Sequence, residues 1–370
     1  MYRPDNLRVI IAGGGTGGHV FPAIAIANAI KAKVFNSQIL FVGAKGRMEM
    51  QKVPAAGYHI IGLNISGLQR RLTWKNLLVP FKLIDSMVRS KNIVKRFRPD
   101  VVIGVGGYAS GPLVRAAAKQ GIPTLIQEQN SYAGLTNKIL AKKADKICVA
   151  YEGMERFFPK EKIFLTGNPV RSDILKATGK KDIGLNFFNL SKEKKVVLIV
   201  GGSLGAFSMN EATRESLKLL VFNDLQVIWQ TGKLFFPQAE KAATGMEKFG
   251  VRVHAFIDRM DLAYAASDLV VSRAGAIAVS EICALQKPSI LVPSPNVAED
   301  HQTKNAMALV NINAAVLLPD KDVRDSLGAA IMDLIFDEVK IFKLKESIAR
   351  MSYRDAANNI AGVALSLVKK

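Results

Sequence analysis

Twice in this chain a continuous run of β-branched and aliphatic residues breaks off into a glycine-rich turn. Val9-Ile10-Ile11-Ala12 runs into Gly13-Gly14-Gly15-Thr16-Gly17-Gly18-His19, and much later Val196-Val197-Leu198-Ile199-Val200 runs into Gly201-Gly202-Ser203-Leu204-Gly205-Ala206. A strand with no polar face must be covered on both sides, which is the situation of a parallel strand flanked by helices. Glycine at its end permits a tight turn and lets backbone approach a ligand closely. The helix that follows offers unpaired N–H groups and a partial positive charge to an anion. Two such starts predict two Rossmann-like, doubly wound parallel-sheet α/β domains whose ligands lie beyond the carboxyl ends of the strands.

The rest of the chain keeps the alternation of strand and helix. Strands are predicted at Arg8–Ala12, Gln38–Val42, Val101–Val105, Thr124–Gln127, Lys146–Val149 and Ile163–Leu165, then at Val196–Val200, Gln226–Gln230, Val251–Ala255, Leu269–Ser272 and Ser289–Val292. The expected division is an N-terminal domain over 1–171 and a C-terminal domain over 172–352 facing it across a cleft, with the polar stretch Asp173–Lys195 as hinge. The last segment, about 353–370, reads as an apolar helix able to pack on either domain, including back on the first. With 370 residues and 49% hydrophobic content the chain is long enough for two cores. Two distant cysteines, Cys148 and Cys283, speak against a disulfide framework and for a reducing compartment. No apolar run reaches the length of a membrane span, and Met1-Tyr2-Arg3-Pro4-Asp5 is unlike a secretory leader.

Glycine loops serve several chemistries, and the residues around them discriminate. A triphosphatase loop needs Gly-Lys-Ser/Thr, where this chain has Gly18-His19-Val20. Gly13-x-Gly15-x-x-Gly18 satisfies the dinucleotide pattern, but that pattern also wants an acidic residue ending the second strand, and Phe41-Val42-Gly43-Ala44 leads into Lys45. An NAD(P)-binding oxidoreductase is thereby disfavoured, though still formally open. His19, at a helix N-terminus that favours its neutral form, is a candidate general base. Late in the chain, Arg273-Ala274-Gly275 turns from a strand into the helix Ala276–Glu281, an arrangement suited to a diphosphate, with Glu281 placed for ribose hydroxyls. Asp320-Lys321-Asp322 has no strand-end context and the four histidines are scattered, so neither a metal nor a cofactor is expected.

The formal net charge of +20 calls for an anionic partner. Nucleic acid is the poorer candidate, since only 7% of residues are aromatic and no recognition motif occurs. The charge concentrates over 66–98, where nine Lys and Arg face one acid, Asp85, and where Leu77, Phe81, Ile84 and Val88 recur at helical spacing with Pro80 as a possible kink. Such a segment is either a helix with a solvated basic face or an interfacial element on anionic lipid.

Gly14-Gly15-Thr16-Gly17-Gly18-His19-Val20-Phe21-Pro22 resembles the N-terminal signature of the MurG family. The likeness continues through Gly104–Pro112, Glu128-Gln129-Asn130, Ala133–Asn137, Thr166–Arg171, Gly201–Ala206, Arg273–Ala276 with Ser280-Glu281, and Asp300-His301-Gln302. It departs at Gln127, where the family commonly has His, so a proton-transfer role for that His does not carry over. The resemblance implies the GT-B fold and a metal-independent, inverting hexosyltransferase. Such an enzyme moves N-acetylglucosamine from its UDP donor to undecaprenyl-diphosphate-linked N-acetylmuramyl-pentapeptide, turning lipid I into lipid II for the cell wall; a related diacylglycerol glycosyltransferase is the alternative. It assigns Ser203, the Ile257 backbone, Arg273, Gly275, Ala276, Glu281 and Gln302 to the donor from the C-terminal domain. Thr16, Gly17, Gly18, Asn130 and Arg171 approach the donor from the N-terminal side, and the first glycine loop meets the acceptor diphosphate. The catalytic base is His19, with Glu128 as second candidate. A polyprenyl acceptor implies docking on the anionic cytoplasmic face of the inner membrane, through Arg70, Arg71, Leu72, Trp74, Lys75, Leu78 and Phe81, in the company of other cell-wall synthesis proteins.

Overall fold

The structure, a computed structural model, describes residues 6–65 and 79–368. The chain divides into two compact units: one runs to Arg171 and resumes at Asp355, and the other is Ser172–Arg354. The first holds a seven-stranded sheet of β1 (Arg8–Ala12), β2 (Gln38–Ala44), β3 (His59–Leu63), β4 (Val101–Gly104), β5 (Thr124–Glu128), β6 (Lys146–Val149) and β7 (Ile163–Leu165), in the order β3-β2-β1-β4-β5-β6-β7. The second holds β8 (Val196–Val200), β9 (Gln226–Gln230), β10 (Val251–His254), β11 (Leu269–Ser272), β12 (Ser289–Leu291) and β13 (Val316–Leu317), in the order β10-β9-β8-β11-β12-β13. Every pairing is parallel.

Strand alternation feeds two cores from one sheet. Ile11, Ile103 and Leu125 pack on one face of the first sheet, and Ile10, Val102 and Ile126 on the other, all fully buried. Burying each such side chain stabilises the fold by roughly 1.5–3 kcal/mol. The C-terminal helix Ala356–Ser366 buries Ile360, Ala361 and Ala364 beside Ile26 and Ile30 of the helix Gly17–Lys33, so the end of the chain completes the core of the first unit.

In each sheet the strand order reverses beside the first strand, between β1 and β4 and between β8 and β11. Connections leave such a point in opposite directions and open a crevice at the carboxyl ends. Register places Ala12 level with Gly104, and Val200 level with Ser272. Both glycine-rich loops therefore begin at a switch point.

Three expectations are corrected. Asp173–Lys195 is not a bare hinge: Ile174, Ala177, Leu185, Phe188 and Leu190 are buried, and Gly184 lets the helix Lys181–Phe187 lie close against Leu262 and Ala266. Pro80 does not kink a helix but stands second in the helix Val79–Phe97, where its missing N–H costs nothing. Strands β3 and β13 were not foreseen, and β2 runs on to Ala44 because β3 pairs with its end, Gly43 against Gly62 and Ala44 against Leu63.

Candidate active site

At the first switch point the turns after β1 and β4 interlock. A Cβ at Gly107 (φ +79°) would run into the Gly14 carbonyl oxygen, and one at Gly106 (φ +90°) would stand 2.8 Å from the His19 ring. Only glycine meets both the left-handed backbone and the lack of space. Thr16 caps the helix Gly17–Lys33 without a side-chain bond; the His19 N–H donates to the Thr16 carbonyl at 3.1 Å, so the amides left uncapped are those of Gly17 and Gly18. Behind the loop lies Glu49, 1% exposed, whose Oε2 accepts from the Gly15 N–H at 2.9 Å and whose Oε1 accepts from the Ala44 N–H at 2.9 Å. A buried carboxylate thus already holds one amide of the loop proposed to meet a diphosphate.

His19 lies third in that helix, with Nδ1 3.1 Å from Gln129 Oε1. Burial pushes its pKa below 6.5; the Glu128 charge, the Gln129 bond, the Val105 carbonyl and the Glu49 charge oppose the shift without reversing it. The ring is uncharged at neutral pH and so able to take a proton. Glu128, 2% exposed, is fully engaged: Oε1 accepts from the Asn130 N–H (3.0 Å) and Nδ2 (3.2 Å), and Oε2 from the Gly134 N–H (3.0 Å) and Asn137 Nδ2 (2.9 Å). Four donors occupy its lone pairs, so this carboxylate braces the loop 128–137, and service as a base would require one of those bonds to open. Arg171 lies over the Phe21 ring, its guanidinium carbon 6.0 Å from the ring centre.

At the second switch point Ser203 and Leu204 stand exposed on the turn after β8, and Gly205 and Gly232 interlock as the first pair does. Gly275 (φ −66°) caps the nine-residue helix Ala276–Ala284 with no side-chain bond, and a Cβ there would meet nothing within 4 Å. Open space in front of uncapped amides is the geometry an anion needs. Glu281 on this helix accepts from Tyr264 Oη at 3.2 Å, and Gln302 Oε1 accepts from the Ser294 N–H at 2.9 Å.

Arg273 does not stand as an unpaired cation. Its Nη1 donates to Asp320 Oδ1 (2.5 Å) and to the carbonyls of Val292 (3.2 Å) and Pro293 (3.1 Å), and its Nη2 to Ser208 Oγ (2.9 Å). The guanidinium ties the β11 turn to the β12 turn beside the helix start at Gly275. Asp320, read as lacking strand context, follows the unforeseen β13 and anchors this cluster. Ile257 is also partly committed: its N–H donates to Gln230 Oε1 at 2.9 Å, leaving its carbonyl as the group free to read a base edge. Among the described residues no three His, Cys, Asp or Glu side chains gather where they could hold a metal ion.

The glycosyltransferase family 28 N-terminal domain matches residues 9–149, and the family 28 C-terminal domain matches residues 196–360. A Parabacteroides distasonis protein named UDP-N-acetylglucosamine--N-acetylmuramyl-(pentapeptide) pyrophosphoryl-undecaprenol N-acetylglucosamine transferase is 52% identical, over 98% of this chain and 99% of its own length. The protein of the same name from Bacteroides thetaiotaomicron is 53% identical over 98% of each. The crystal structure of Acinetobacter baumannii MurG, 27% identical, superposes with a TM-score of 0.78 over 97% of this chain and 99% of that one. The chain belongs to the MurG family. Its two sheets are the two Rossmann-like domains of the GT-B fold.

Within the MurG frame, the first unit gathers Thr16, Gly17, Gly18, His19, Glu128 and Asn130 at the ends of β1 and β5. The second gathers Ser203, Arg273, Gly275, Ala276 and Glu281 at the ends of β8 and β11, with Ile257 beyond β10 and Gln302 beyond β12. Sequence reasoning missed Glu49, Gln129, Ser208 and Gln230 as participants. Gln129 left a trace inside the motif Glu128-Gln129-Asn130, and Glu49 as an acid five residues past the end of β2. Of the surface residues, Arg70, Arg71, Leu72, Trp74, Lys75 and Leu78 lie outside the described residues, whereas Phe81 is 71% exposed.

Proposed function

We propose that this chain moves N-acetylglucosamine, with inversion, from UDP-N-acetylglucosamine to the 4-hydroxyl of undecaprenyl-diphosphate-linked N-acetylmuramyl-pentapeptide, converting lipid I to lipid II in peptidoglycan synthesis. The observation that carries this reading is 52% identity over nearly the whole chain to a transferase named for that donor and acceptor. In a single displacement the acceptor oxygen bonds to the anomeric carbon as the bond to UDP breaks, and the hydroxyl proton passes to His19. Support for that role is the neutral, buried ring with one nitrogen already bonded. A positioned base of this kind contributes roughly 10²–10⁴-fold. Charge growing on the leaving diphosphate falls to the amides at Gly275–Ala276, preorganised dipoles of the kind that usually dominate such catalysis. Glu281 takes the ribose hydroxyls, the Ile257 carbonyl the uracil edge, and Ser203 and Gln302 Nε2 the donor. Thr16, Gly17, Gly18, Asn130 and Arg171 complete the substrate contacts from the first unit.

The same reading has the enzyme work as a peripheral protein on the anionic cytoplasmic face of the membrane that holds its acceptor. Among the described residues no helix is long and apolar enough to cross a membrane. The helix Val79–Phe97 turns Ser86, Ser90 and Val94 inward and leaves Phe81, Ile84 and Val88 exposed beside Lys82, Arg89, Lys91 and Lys95. An outward apolar stripe flanked by cations suits an anionic lipid surface. The deciding experiment is transfer of labelled N-acetylglucosamine from UDP to a lipid I analogue, with diacylglycerol as the competing acceptor. Glycosylation of diacylglycerol alone, or of neither while UDP still raises the melting temperature, would overturn the reading.

A further inference from the structure

Gln129, the partner of His19, belongs to a chain of buried amides that runs between backbone carbonyls. Gln129 Nε2 donates to the Val105 carbonyl at 2.7 Å and also to Gln127 Oε1; Gln127 Nε2 donates to Asn168 Oδ1 at 2.8 Å; Asn168 Nδ2 donates to the Gln129 carbonyl at 2.8 Å. Gln127, Gln129 and Asn168 are at most 3% exposed. A backbone carbonyl only accepts, so each end of the chain dictates which way its amide faces, and the middle member has no freedom left. Both ends agree: the nitrogen of Gln129 faces Val105 and Gln127, and its oxygen faces His19. That oxygen accepts from Nδ1. The neutral ring must then carry its hydrogen on Nδ1 and keep its lone pair on Nε2.

We infer that Gln129, held by Gln127 and Asn168, is a positioning residue that locks His19 in the Nδ1–H tautomer and so makes Nε2 the atom that receives the acceptor's proton. This rests on His19 being the base. In this chain the lock consists of amides, which do not titrate. A partner whose orientation is independent of pH leaves the base with a single ionisation. Gly106 borders the same edge of the ring, since a side chain there would collide with Cε1 and Nδ1.

The test needs no variant to begin. In the full chain labelled with 15N-histidine, the His19 resonances, assigned by their loss in His19→Gln, should show a protonated Nδ1 and a pyridine-like Nε2 near neutral pH. A protonated Nε2 in the unaltered protein overturns the inference. Gln129→Met should then lower kcat about 10- to 100-fold with KM within about twofold, and the ring should become a mixture of tautomers. Gln127→His should add a second ionisation to the pH–kcat profile that the unaltered protein lacks. Unchanged kcat and tautomer in a folded Gln129→Met would also sink the lock. If instead His19→Ala keeps its turnover while the tautomer is as described, the base assignment fails and the lock survives as structure alone.

Discussion

The two glycine loops come from similar strands and the same topological position, yet they are furnished for opposite electrostatic tasks. The first is backed by Glu49, which takes the Gly15 amide, and flanked by Glu128 and an uncharged histidine. The second carries exposed Ser203 and Leu204 and borders an uncapped helix start with open space before it; its nearby cation is neutralised by Asp320. In the first loop the carboxylates are spent on N–H donors beside an uncharged ring, whereas bare amides suit a phosphate. One supersecondary unit thus presents its amides occupied or open according to what fills the space behind them.

Substitutions can break that contrast. His19→Ala has the largest expected effect, a kcat lower by roughly 10²–10⁴-fold with little change in donor KM, since the proposed base lies beside the first loop alone. In steady-state assays a rise in donor KM with kcat intact would erase the difference between the loops. Gly107→Ala should cost on the order of 3 kcal/mol, because it combines a strained left-handed backbone with a collision at the Gly14 carbonyl. Thermal or urea unfolding reads this, and a neutral result would mean the first turns are not interlocked. Glu281→Ala removes a carboxylate assigned to ribose hydroxyls, worth about 1.5–3 kcal/mol, so donor KM should rise roughly 10- to 100-fold while kcat holds. Gly275→Ala is the mildest for stability, within about 0.5 kcal/mol, because its φ is ordinary and the space before it is open. Its effect should appear in donor KM instead, which calorimetric titration with UDP can follow.

A pH profile sharpens the comparison further. Burial disfavours the charged ring, so His19 keeps its lone pair at neutrality and loses it only as pH falls through a pKa below 6.5. Turnover should be level near neutral pH and decline on the acid side below 6.5. An acid limb centred above 6.5 would mean that the neighbouring carboxylates, and not burial, govern the ring.

The central strands were legible because burial on both faces demands apolar runs, as in Val196–Val200 and Val227–Trp229. The edge strand β3 escaped because His59-Ile60-Ile61-Gly62-Leu63 is half exposed and carries a mixed pattern, and β13 because two residues make no pattern at all. Missing β13 hid the strand-end position of Asp320, and with it the partner of Arg273.

From the amino acids alone came the doubly wound class, both glycine turns and the location of His19, Gly275 and Glu281, since each depends on neighbours a few positions away along the chain. Which polar groups are spent on one another was settled only on folding. Glu128 with the loop to Asn137, Arg273 with Asp320, the Ile257 amide with Gln230, and Gln129 with His19 are each decided by whether donors and acceptors arrive within about 3 Å. Apolar periodicity encodes which face is buried, but it says nothing of which distant partner a buried polar group will find there.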